Sequence, residues 1–457
     1  MMTTRRALLG SAAALTLVLP ASHVLAQTDP LFQLQWNVVF ATPDRGRVAL
    51  DEIAARGDAD LAAGLILAMR VSALDREEIS QTLAAITGEG RADTWFDWML
   101  WQEAHPEVVP HPTYARLMRE VHLRIDRGFD VFLNDANLQP DVMKIRIEEI
   151  VWGGVRVDGI PSLDNPDLIP VAEADYLRPD DLVFGVSING DTRAYPLRIM
   201  GWHEMFNEVI GGVPVALAYC TLCGSGILFE TQVPGRAAPL VFGSSGFLYR
   251  SNKLMFDRAT NSLWNQFTGE PVVGPLVGSG ITLSQRPVAI DTWANWSSAH
   301  PDSRVLSLET GHRRDYGSGV VYNDYFASPD LMFPALVDET DARQKDYVFG
   351  VRQFGGSKAW PLQAFTDRRI INDGMLDTPL VLIGDPDTRS VRAYERGALQ
   401  FQQSDGGLAA NDGTTWQVTE AALIGPDGTQ LARVAGHIAY WFAWDSYVGA
   451  ASERFDG

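Results

Sequence analysis

Asp181-Leu-Val-Phe-Gly-Val186 returns 165 positions later as Asp346-Tyr-Val-Phe-Gly-Val351. The same offset joins Ala194-Tyr-Pro-Leu197 to Ala359-Trp-Pro-Leu362. It also joins Asn207 to Asn372, Pro214 to Pro379, and Phe229-Glu230 to Tyr394-Glu395. A constant spacing over five blocks is the mark of an internal repeat. Trp293 and Trp296 find similar partners in Trp441 and Trp444, at a shorter offset of 148. The reading is a duplicated module, with repeat one over about 175–300 and repeat two over about 340–450.

Outward from these blocks, the chain after about residue 145 consists of short β-rich runs separated by Gly, Pro, Asp and Asn, such as DLVFGVSING, VPVALAYC and DYVFGV. That texture predicts antiparallel or mixed sheets with tight turns. Residues from about 45 to 135 read as helical instead. Tyr114, Leu117, Met118, Val121 and Ile125 fall on one helical stripe, as do Ile79, Leu83 and Ile86. His105, His111 and His122 lie in this segment and read as surface or capping residues. The expected fold class is α+β: a helical domain over 27–145, then a duplicated β-rich domain over 146–457 whose two repeats share one two-lobed body.

Residues 1–26 read as a signal peptide. Arg5 and Arg6 precede an apolar run of about 13 residues, Pro20 breaks it, and a small-residue site ends at Ala26. The run is short for a membrane span, which takes about 20 residues. The paired arginines point to twin-arginine export and a periplasmic or secreted location. The mature chain would be soluble and strongly acidic, with the net charge moving from −20 to −22. Such a surface disfavours nucleic acid and anionic membrane as partners, leaving a small molecule or a protein.

Only two cysteines occur, Cys220 and Cys223, in Tyr219-Cys-Thr-Leu-Cys-Gly224 straight after an apolar strand. A C-x-x-C-G turn brings two sulfurs together, and the glycine takes the tight bend. The repeat acts as a filter. His203, Glu204, Cys220 and Cys223 face Arg368, Arg369, Asp385 and Thr388 at the offset of 165, so they belong to the first copy alone. Thiolates with imidazole suit copper or zinc. The expected metal site is therefore Cys220, Cys223 and His203, with Met255 or Asp257 completing it and His300 and His437 as further candidates. Two other readings fit the same residues: a dithiol that exchanges disulfides, and a structural cysteine pair in a non-enzymatic binding module. The polar and aromatic run 243–269 suggests a pocket lined by Tyr249, Arg250 and Trp264, or more simply a β-hairpin with one wet face.

The strings HEMFNEVIGGVPVALAYCTLCGSGILFE (203–230), GFLYRSNKLMFDRATNSLWNQFTGEPVVGPL (246–276) and LETGHRRDYG (308–317) occur in this order. Together they resemble the family of bacterial and archaeal proteins called domain of unknown function 3179, over about 150–445. The resemblance implies that the second part of the chain is one domain, and that His203, Cys220 and Cys223 recur as a set. His312 departs from the Tyr expected there, which argues against a ligand role for it. The family name carries no reaction. The working expectation is an exported metal-binding protein, a metal-dependent oxidoreductase on the leading reading.

Overall fold

The computed structural model describes residues 29–457 except 91, 140, 141, 341 and 406, and the side chain of residue 450. The twin-arginine segment lies outside the described residues. No helix among those residues is long and apolar enough to cross a membrane. A helical region comes first and a β-rich region follows, so the class is α+β.

Two compact units divide the chain. The first holds residues 29–90 with Val109–Leu117. Its helices are Pro30–Phe40, Pro43–Arg56, Ala62–Ala68 and Arg76–Thr87. Helix starts before residue 45 escape a periodicity search because their signal lies in the caps. Pro30 occupies the first turn, and the Asp29 carboxylate accepts the Leu31 N–H at 2.8 Å. Gly57 and Gly88 close two of these helices in the left-handed conformation. Ile79, Leu83 and Ile86 are all buried, as their spacing implies.

The second unit is Ala92–Val108 with Met118–Gly457. Its helix Trp95–Ala104 begins with a capping box between Thr94 and Asp97. His122 is buried and not at the surface. Its Nδ1 lies 2.7 Å from the Met118 carbonyl oxygen, and its ring packs edge-on against Phe247. It sits on the apolar stripe one residue after Val121, and a hydrogen bond within the helix satisfies it without water. His105 does act as a cap, through Nδ1 on the Trp101 carbonyl at 2.7 Å.

The sheets of this unit repeat certain arrangements. Strands Leu182–Ile188 and Asp191–Pro196 form an antiparallel hairpin, flanked by Ala289–Thr292 on one side and, in parallel, by Arg304–Leu306 on the other. Strands Tyr347–Gln353 and Gly356–Pro361 form another, flanked likewise by Gly436–Tyr440 and, in parallel, by Glu453–Arg454. In each hairpin a glycine lies under a tryptophan. A Cβ on Gly185 would meet Trp296 at 2.0 Å, and one on Gly350 would meet Trp444 at 1.8 Å. Asn207 exchanges two hydrogen bonds with the Phe242 backbone, and Asn372 does so with Phe401. Tyr195 bonds Glu208 beside Arg193, and Trp360 bonds Asp373 beside Lys358. One hydrophobic core takes residues from both sets: Phe184, Phe206 and Leu217 with Phe349, Leu380 and Leu382. Both hairpins therefore stand in one domain.

Candidate functional site

The strand Val213–Cys220 runs through this core and ends at the turn that carries the second cysteine. The turn closes on itself: the Cys223 N–H donates to the Cys220 carbonyl at 3.2 Å, and the Gly224 N–H to Thr221 at 3.3 Å. Gly224 has φ +60°, and a Cβ there would press on Tyr347 and Tyr440 at 3.2 and 3.3 Å. Both conformation and space require glycine.

Both cysteines are free and buried, and the two thiols are hydrogen-bond neighbours. They are not equivalent. The Cys223 S–H points inward, donating to Asn252 Oδ1 at 3.2 Å and towards the Ser251 carbonyl at 3.6 Å. Burial pushes its titration well above the usual thiol range. Cys220 instead lines a small cleft.

The hairpin of Phe242–Tyr249 and Asn252–Asp257 brings Ser251 and Asn252 to Cys223. Its two-residue turn holds Arg250 at φ 47° and Ser251 at φ 58°. Neither is Gly or Asn, so each costs about 1 kcal/mol relative to an ordinary conformation. The hairpin has no wet face: every residue of both strands is buried. Strands covered on both faces read like amphipathic ones when many of their residues are Ser, Asn and Lys.

The second buried feature of the cleft is an ion pair. Lys253 Nζ lies 3.1 Å from Glu204 Oε2, and the Thr221 hydroxyl donates to Glu204 Oε1 at 2.9 Å. The Tyr322 hydroxyl reaches the same Oε1 at 3.3 Å. Glu204 caps the helix Leu197–His203 from the left-handed region, at φ 54°. Strain of this kind concentrates at functional sites. Around the thiols, Ser225 Oγ, Ser251 Oγ, Asn252 Nδ2 and Gln266 Oε1 are buried with no hydrogen-bond partner among the described residues.

His203 ends the same short helix but uses both ring nitrogens elsewhere. Nδ1 lies 2.9 Å from the Pro161 carbonyl oxygen, and Nε2 lies 2.6 Å from the Tyr316 hydroxyl. Burial, reinforced by His312 and Arg314 nearby, lowers its pKa from 6.5 to about 4. A neutral ring that donates from Nδ1 and accepts at Nε2 satisfies both contacts. Folded-state stability linked to this group is full above pH 6.5 and declines as pH falls towards 4. His203→Gln is therefore expected to flatten the acid limb of stability over that window, measured as thermal midpoints at successive pH values. An unchanged slope would show that His203 does not titrate as its surroundings require.

The structure does not gather His203 into one ligand group with the cysteines. Among the described residues, no three His, Cys, Asp or Glu side chains converge as a metal site. Met255 is fully buried in the apolar cluster that contains both cysteines. Asp257 spends both oxygens on its own turn. Oδ1 accepts from the N–H groups of Ala259 and Thr260 at 3.1 and 2.7 Å; Oδ2 accepts from the Thr260 hydroxyl and Trp264 Nε1 at 2.6 and 3.0 Å. His300 lies 3.6 Å from Glu420, and His437 contacts Gln285 at 3.1 Å.

The three expected pocket residues do not share a pocket. Trp264 is fully buried. Tyr249 is buried and accepts a hydrogen bond from Tyr447 at its carbonyl. Arg250 pairs with Glu149 at 2.7 Å and lines a different cleft, of about 520 Å³, beside Glu103 and Tyr447. Three residues of the Cys220 cleft are not apparent from motif spacing: Glu204, Lys253 and Tyr322. Glu204 does carry a signal, since Arg369 stands in its place at the offset of 165 in the sequence self-match. Lys253 and Tyr322 lie 33 and 102 positions from Cys220, on a strand and a loop that only folding brings together.

No curated protein and no solved structure matches the chain. The model of a family described as "Protein of unknown function (DUF3179)" matches residues 157–451, a span that contains the thiols, Glu204, Lys253 and Tyr322. The chain belongs to the DUF3179 family.

Proposed function

We propose that this protein works through Cys220 and Cys223 as a redox-active dithiol, with Cys220 the outer nucleophile and Cys223 the resolving thiol. The observation that carries the reading is the asymmetry of two adjacent free thiols: Cys220 lines a cleft, while Cys223 is held beneath it by Asn252. In the cycle, the Cys220 thiolate attacks an oxidant and becomes covalently oxidised. The Cys223 sulfur then displaces the added group and closes a Cys220–Cys223 disulfide. The dithiol loses two electrons and two protons, and the oxidant gains them. Glu204, Lys253 and Tyr322 line the same cleft and give it a polar wall beside Cys220.

The scaffold reading that accompanies this is a duplicated module. Its support is the recurrence of hairpin, flanking strands, Gly–Trp contact and Asn clamp in the same order along the chain. On that reading the first copy became the chemical one, since Glu204, Cys220 and Cys223 are replaced by Arg369, Asp385 and Thr388 in the second. The twin-arginine reading of residues 1–26 would place the dithiol in the periplasm or outside the cell.

A second reading is a soft metal ion, such as copper(I), held by the two thiolates. The neighbouring thiols and the buried Met255 favour it, because soft ions take thiolate and thioether ligands. His203 is then outside the ligand set. The deciding experiment is elemental analysis with a thiol count under denaturing conditions, on wild type, Cys220→Ser, Cys223→Ser and His203→Ala. The dithiol reading predicts two oxidisable thiols and no stoichiometric metal. About one metal per chain, lost in both cysteine variants, would overturn it in favour of the metal. Two thiols inert in the folded protein, with no metal, would leave a structural pair.

A further inference from the structure

The Cys220 cleft is small. Its volume is about 50 Å³, against about 510–550 Å³ for three other clefts of the molecule. On that measure one water needs about 10–15 Å³, so the space holds on the order of four waters. Cys220 is 2 % exposed and stands at the wall of this space. The segment that contributes Tyr322, Met332 and Phe333 to the wall is pinned to the cysteine turn, because the Tyr325 hydroxyl donates to the Leu222 carbonyl at 2.6 Å. Lys345 adds a bond to the Ser328 carbonyl at 2.6 Å. A peptide or glutathione disulfide has tens of non-hydrogen atoms and cannot bring a sulfur to Cys220 while that segment stays in place.

What fits is an oxidant of two or three heavy atoms. The cleft offers Lys253 as a donor to oxygen, since its ammonium keeps a third N–H beyond the two that reach Glu204. We infer that the oxidant of this dithiol is a small hydroperoxide, hydrogen peroxide in the simplest case; the inference rests on the dithiol reading. The Cys220 sulfur attacks the nearer peroxide oxygen. An S–O bond forms, the O–O bond breaks, and the departing oxygen leaves as water after taking a proton. Cys223 then attacks the Cys220 sulfur. An S–S bond forms, the S–O bond breaks, and a second water leaves. One peroxide and two thiols give one disulfide and two waters.

The test compares three reagents on the fully reduced full-length protein: hydrogen peroxide, cumene hydroperoxide and oxidised glutathione. Each rate is divided by its rate on the same protein unfolded in urea, which removes intrinsic reactivity. Disulfide formation is read by mass spectrometry of unreduced digests. The expected result is a ratio for hydrogen peroxide at least about tenfold above those for the two bulky reagents. One peroxide is consumed per Cys220–Cys223 disulfide. Tyr325→Phe, which releases the pinned segment, is expected to narrow the gap. Equal ratios for all three reagents, or a higher one for oxidised glutathione, would overturn the size inference and leave the dithiol reading standing. No disulfide from any reagent in the folded protein would overturn both.

Discussion

Gly350→Ala is expected to destabilise the β-rich unit by about 3 kcal/mol or more. The added Cβ would sit 1.8 Å from Trp444 Cζ3, and Trp444 is fully buried among Tyr440, Phe442 and Phe267. Neither side can yield easily. Gly350 lies at the centre of a strand paired on both edges, with Ala359 on one and His437 on the other. The indole is fixed by its Nε1–H on Ser452 at 2.9 Å. Gly185→Ala should cost a similar amount, because its Cβ would meet Trp296 at 2.0 Å on a strand paired in the same way, with Ala194 and Ala289. Urea unfolding of the two variants checks both figures. Matching losses support a common module. A loss below about 1 kcal/mol at either site would mean that the tryptophan has room to move, and that the close approach is not a packing requirement.

The largest chemical effect is expected from the two cysteines taken separately. Cys220→Ser should abolish oxidation of the folded protein, because the remaining thiol is fully buried and its titration lies far above pH 7. Burial pushes the Cys223 thiol well above the usual thiol range and so disfavours its reactive thiolate. Cys223→Ser should leave Cys220 reactive but unresolved, so that treatment with peroxide accumulates a sulfenic acid that dimedone captures. Trapping and peptide mapping give the outcome directly. Capture at Cys223 in the Cys220→Ser protein, with none at Cys220 in its counterpart, would reverse the proposed roles.

How far the sequence alone reaches can be judged from particular residues. The helix–sheet division was legible because period-3.6 stripes and short β-rich runs occupy different parts of the chain. The self-match was legible because its anchors are packing residues: Gly185 and Gly350 must lie under tryptophans, and Asn207 and Asn372 must clamp a backbone. Such demands leave fixed letters at fixed spacing. The C-x-x-C-G turn was legible for the same reason, since Gly224 has no alternative there. The ligand role expected of His203 rested on its pairing with the two cysteines and on the Arg368 found in its place at the offset of 165. That difference has another source: His203 makes a contact with Tyr316 across 113 positions, which no local pattern reports. Asp257 was misleading because a carboxylate that closes its own turn and binds a tryptophan N–H looks, as a letter, like a free ligand. Glu204 and Lys253 form their pair only when a helix end meets the inner strand of a hairpin 49 positions away, and no one-dimensional spacing encodes that meeting.

The most direct test of the dithiol account is equilibration of the folded protein in graded redox buffers, followed by acid quenching and mapping of Cys220 and Cys223. The account predicts that both thiols disappear together into one intramolecular disulfide, that the curve follows a two-electron couple, and that reductant returns both thiols. Two thiols that stay free across the whole range, in a protein whose unfolded form oxidises readily, would contradict it.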